Sequence, residues 1–158
     1  MNAAHLKLVS APDPGRRQRA HFCGHCGAPP ITLPAPRVCN RCGLGLVLEA
    51  DAELAPTPGA AFLTVDRALT VCGMSGAAES LLHITEVDAV DRPLAEFLIS
   101  ADGGGSAHSL VALILGATSG AQDGEVAIVR PPDEFGVRYR VRIGACGPPQ
   151  AALLVFDP

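Results

Sequence analysis

The chain has 158 residues, 48% of them hydrophobic and 18% charged, which is enough for one ordinary domain with a buried core plus a small appendage. No apolar run reaches the roughly 18 residues of a membrane span, and the opening MNAAHLKLVS lacks the apolar centre of a secretion signal. A membrane span and export are therefore not expected, and a cytoplasmic location is. The net charge of −4 is uneven: residues 1–50 carry six basic side chains against two acidic ones, and the rest of the chain carries six against fourteen. The two parts are expected to meet different partners, or each other.

Residues 1–19 place Pro12, Pro14 and Gly15 among small and charged residues, and read as a disordered basic arm. Arg16, Arg17 and Arg19 are its candidate phosphate contacts. A solvated, flexible arm is the plainer expectation.

Residues 20–48 hold Cys23, Cys26, Cys39 and Cys42 in the spacing C-x2-C-x12-C-x2-C. In a reducing compartment such cysteines are metal ligands more often than disulfides. Two close pairs form two knuckles that present four thiolates to one ion, a closed tetrahedral set suited to Zn2+. Iron in a rubredoxin-like site uses the same ligands, and a redox dithiol needs only one pair. Gly27 and Gly43 follow the second cysteine of each pair, where a knuckle requires positive φ. About 25 residues fall below the roughly 40 that build a core alone. A structural zinc supplies about 10–16 kcal/mol, so metal is expected to fold this segment. His25, inside the first knuckle, reads as an exposed loop residue, and the proline-rich APPITLPAPRV between the pairs suits a short hairpin. The segment resembles a zinc ribbon, a class that binds DNA, RNA or protein or stabilises a terminus.

Residues 49–59, with two prolines among alanines and acids, read as a linker. From residue 60 onward the expected elements are strands at 61–66 and 69–73, and short helices at 75–83 (capped by Ser75), 85–90 (capped by Thr85) and from Pro93. The helix that Pro93 opens is expected over 92–100; a longer helix over 107–119 and strands at 124–131, 135–144 and 150–157 complete the series. Val137, Tyr139, Val141 and Ile143 alternate with Arg138, Arg140 and Arg142, which puts apolar side chains on one sheet face and arginines on the other. The fold class expected is α+β: a five-stranded antiparallel sheet with helices on one face.

The run AFLTVDRALTVCGMSGAAESLLHI, the later DRPLAEFL and the three-strand ending together resemble a PAS domain over residues 60–158. The family carries asparagine where Ser75 stands, and glycine where His83 and Asp91 stand. The resemblance implies short helices and a long connecting helix that enclose a pocket against the sheet. It also implies a ligand-sensing or dimerisation role, with the pocket ligand unidentified. In haem-binding relatives the long helix supplies the iron ligand, which makes His108 a candidate. On its own residues, an apolar stripe of Ala107, Leu110, Val111 and Ile114 with a hydrogen-bonded His108 on its flank is expected. Arg138, Arg140 and Arg142 are expected to be solvated and locally paired, or to form an interface with a flanking helix or second protomer. Cys72 and Cys146 are expected to be buried and inert.

No acid–base pair or open metal position stands out. Gly73-Met74-Ser75-Gly76-Ala77 lacks the last glycine of a nucleophile elbow, and no GK[ST] follows the glycines at 103–105. A non-catalytic cytoplasmic regulatory protein is expected, pairing a PAS-like domain with a zinc-ribbon interaction module and working through a protein partner or homodimer. The alternatives are a nucleic-acid-associated transcriptional regulator and a haem or small-molecule sensor.

Overall fold

The alternation in FGVRYRVRIG produces the strand at the centre of the molecule. In the computed structural model, which describes residues 17–101, 109–120 and 124–158, this strand spans Tyr139–Gly147. In chain order the elements are β1 (Arg19–Cys23), β2 (Val47–Asp51), β3 (Phe62–Val65), β4 (Val71–Met74), α1 (Gly76–Leu82) and α2 (Glu86–Ala89). A 3-10 turn (Leu94–Glu96), β5 (Ile99–Ser100), α3 (Leu110–Thr118), β6 (Glu125–Arg130), β7 (Tyr139–Gly147) and β8 (Ala151–Phe156) follow. The helices start where hydroxyl side chains accept orphan backbone N–H groups: Ser75 from Ala78, Thr85 from Asp88 and Ser109 from Ala112. Ser75 also accepts from Phe62 N and donates to Ala60 O, and so ties α1 to β3.

All eight described strands join one antiparallel sheet. Its main path runs β1-β2-β7-β8-β3-β4, with β6 on β7 and β5 on β6. One edge of β7 pairs with β8. The other pairs with β6 through Tyr139–Ile143, then with β2 at Cys146 and Gly147. The α+β class and antiparallel pairing match expectation. The strand count does not: β1, β2 and β5 extend the expected five.

β8 is buried at every position, because both faces of the sheet are covered. Ala152, Leu154 and Phe156 enter the core under the helices, with Leu63, Val65, Val71, Met74, Leu113 and Ile114. Ala151, Leu153 and Val155 enter a second core with Phe22, Leu48, Ala50, Leu54, Phe62 and Cys146. Phe22 and Phe62 meet edge to face at 5.8 Å between ring centres.

This second core corrects the expected division at residues 49–59. Residues 49–51 lie in β2, and Ala50 and Leu54 are fully packed against the sheet. Alanine and leucine at these positions serve burial, which the acidic and proline residues around them mask. Arg19 likewise belongs to β1 and not to a loose arm, since backbone pairing begins with Ala52 N donating to Gln18 O at 2.7 Å. The segment APPITLPAPRV forms no hairpin; an isolated bridge joins Val38 to Leu46. Its four prolines each lack an N–H for a ladder, and the β1–β2 ladder brings the knuckles together instead. In α3 the buried stripe is Leu110, Leu113, Ile114 and Ala117, with Val111 exposed. No helix among the described residues is long and apolar enough to cross a membrane.

Candidate metal centre

β1 ends at Cys23 and the first knuckle follows at once; the second lies between Val38 and Leu46. The two knuckles repeat one backbone scheme. Gly27 N donates to Cys23 O and Gly43 N to Cys39 O, both at 2.9 Å, with φ of 71° and 70° at the glycines. Positive φ is the reason glycine occupies both positions. Backbone N–H groups point at the sulfurs: His25 and Cys26 donate to Cys23 Sγ, each at 3.4 Å, and Arg41 donates to Cys39 Sγ at 3.3 Å.

The four sulfurs lie within 4.8 Å of one another. Cys23 and Cys42 approach to 3.6 Å, and Cys26 and Cys39 to 3.9 Å. A tetrahedral ion with bonds of about 2.3 Å to sulfur needs ligands about 3.8 Å apart, so the donor set fits one. Cys23 and Cys39 are buried, and Cys26 and Cys42 half-buried. At Gly45 a Cβ would stand 2.5 Å from Cys23 Sγ, so any side chain there would intrude on the ligands. The four cysteines form a cluster suited to a metal ion such as zinc.

The thiols are unequal. Burial pushes Cys23 up to about 12. At Cys42 burial pulls the same way, but hydrogen bonds from the Gly45 and Leu44 backbone, together with those from the Cys23 and Cys39 thiols, outweigh it and bring the thiol down to about 6. Four sulfurs this close titrate as a unit. A bound dication is what favours the fully ionised set, so metal affinity falls as pH falls.

The first knuckle is anchored to the helical half of the molecule. His25 Nδ1 lies 2.9 Å from Glu86 Oε2, and Glu86 Oε1 accepts from Met74 N at 2.9 Å. His25 is thus a half-buried strut and not an exposed loop residue. Glu86 escaped the sequence reading: an acid in the first turn of a short helix reads as a dipole partner, and nothing local marks its long-range contacts. At Gly27 a Cβ would lie 2.8 Å from Thr57 O and 3.2 Å from the Phe62 ring, so the knuckle rests directly on the second core.

The remaining candidates are scattered. Arg16 and His108 lie outside the described residues. Arg19 pairs with Glu49 at 2.9 Å across β1 and β2, and Arg17 is engaged elsewhere in the chain. Arg142 donates to Asp157 Oδ1 at 2.9 Å and to Glu53 O at 2.6 Å, strapping the second core's covering segment to the sheet. Arg140 lies 3.6 Å from Asp157, and Arg138 also has a partner. Cys146 is buried as expected, with its thiol pushed up to about 12 by burial. Cys72 is exposed, because its side chain leaves β4 on the face away from the helices.

No protein-family model matches the chain, and no curated protein matches it.

Proposed function

We propose that this protein is a non-catalytic regulatory module in which a structural zinc ribbon, built into the sheet of a PAS-like domain, makes contact with a protein partner. The observation that carries this reading is where apolar surface is exposed. Five of the ten exposed large apolar side chains among the described residues fall in the ribbon: Ile31, Leu33, Val38, Leu44 and Leu46. Exposed apolar surface concentrated in one small element is characteristic of a docking site. Four thiolates leave an ion no open position for water or substrate, so the metal serves shape and not turnover.

Two features support the PAS resemblance. A strand pair (β3 and β4), short helices, a longer helix (α3) and three closing strands (β6, β7 and β8) follow one another in the chain order that resemblance implies. His83 and Asp91, where the family carries glycine, adopt φ of 53° and 65°. In this molecule Leu, Ile, Val and Phe side chains fill the core beneath the helices, which favours a contact role over ligand sensing.

The test is affinity capture from the native host with the metal-loaded chain and with Leu33→Asp/Leu44→Asp. The double variant is expected to keep its metal and lose the captured protein. Equal capture by both would refute the ribbon as the contact surface.

A further inference from the structure

A concave site lies outside both the metal cluster and the helical core. It is a cleft of about 440 Å3 between the knuckles and the outer face of the sheet. That volume falls within the range of small-molecule sites. Leu46 from the ribbon, Leu48 from β2 and Ala151 from β8 give it an apolar side, while Thr64, Asp66 and Glu86 give it a polar one.

The polar side has spare hydrogen-bonding capacity. Thr64 is only 4% exposed, and its hydroxyl makes no hydrogen bond among the described residues. No unpartnered side-chain oxygen there is sealed from solvent, so this hydroxyl opens into the cleft. Asp66 Oδ1 accepts from Ala68 N and Thr70 N, which leaves Oδ2 available. Both oxygens of Glu86 already have a partner, Met74 N on Oε1 and His25 on Oε2, so it contributes charge more than a free acceptor.

The sign of the field is equally definite. Among the described residues the cleft wall contains no lysine or arginine, and its one histidine is tied to Glu86. The Cys72 thiol in the same wall has its pKa pushed up by burial first, and then by the negative charges of Asp66 and, outside the cleft, Asp91. A cation is the charge type this wall favours.

We infer that the cleft binds a small organic cation, with its ammonium or guanidinium head against Asp66 and Thr64 and its apolar body against Leu46, Leu48 and Ala151. This goes beyond the contact role of the ribbon and stands without it. An occupant would touch ribbon and sheet together.

The experiment is amide NMR on the metal-loaded full chain with three probes of one shape: benzylammonium, benzyl alcohol and benzoate. Benzylammonium is expected to shift the Thr64, Cys72 and Gly73 amides saturably, with benzyl alcohol about tenfold weaker and benzoate weaker still. Asp66→Asn keeps the Oδ1 acceptor of the turn, and should weaken benzylammonium about tenfold while leaving benzyl alcohol unchanged. Thr64→Val preserves side-chain shape and should weaken benzylammonium as well. Benzoate binding as well as benzylammonium, shifts mapping elsewhere, or no saturation by any probe would overturn the assignment.

Discussion

One sheet has two covered faces, and they are closed by different means. Under the helices, Leu63, Leu113, Ile114, Leu154 and their neighbours are essentially inaccessible, and each fully buried side chain of this kind contributes roughly 1.5–3 kcal/mol. On the other face, Phe22, Leu48, Leu54 and Phe62 form a smaller core. Beyond it the ribbon's own core comprises Cys23, Cys39 and Val47, with Cys26, Ala35 and Cys42 packed alongside. That is too little apolar surface to hold two knuckles in place. The helical face is stabilised by packing. The ribbon face is assembled from a four-cysteine cluster, a small aromatic core and polar straps.

Substitutions can break this contrast at its strongest point first. Cys39→Ser removes one ligand and forfeits a large share of the roughly 10–16 kcal/mol of metal binding. The variant is expected to lose metal in elemental analysis and to lose β1–β2 structure. Its helical circular dichroism should persist, since α1, α2 and α3 pack on the opposite face.

A pair of truncations sharpens the contrast. Phe22→Ala costs about 3–5 kcal/mol and Leu113→Ala about 2–5 kcal/mol. Denaturant unfolding should register both. Metal release to a chelator should accelerate in Phe22→Ala, whose ring supports β1 beside Cys23, and stay unchanged in Leu113→Ala. Equal acceleration would mean that the faces are not distinct.

The smallest effect is chemical. Cys72 is exposed, yet its raised pKa lowers the fraction of reactive thiolate at neutral pH. Alkylation of Cys72 should be slower than that of an ordinary cysteine and should accelerate as pH rises. Asp66→Asn removes a negative charge, lowers the pKa and should speed the reaction at fixed pH. Cys146, buried on the ribbon side, should stay unmodified until that face opens.

The helical half was largely legible, because its signals are local. The period-two run at 137–143 gave β7, and Ser75 and Thr85 marked two helix starts that the structure reproduces. The clustering of the four cysteines was legible from spacing alone. The ribbon's union with the sheet was not. Leu48 and Ala50 alternate with Val47 and Glu49 as a strand should, but the run stops after five residues and passes into ADAELAPTPG. Its short pairing with β7 at Cys146 and Gly147 joins residues about a hundred positions apart, a relation no local pattern encodes. His25–Glu86 and Arg142–Glu53 escaped for the same reason: they are side-chain contacts between distant segments.

Hydrogen exchange read by mass spectrometry, on the reduced protein before and after chelation, tests the central claim most directly. If the ion fastens the ribbon to a sheet that is otherwise stable, chelation removes protection from β1, the knuckles and β2, while the paired centres of β7 and β8 keep theirs. Unchanged protection in residues 19–51 after chelation, or protection lost equally across the whole sheet, would contradict it.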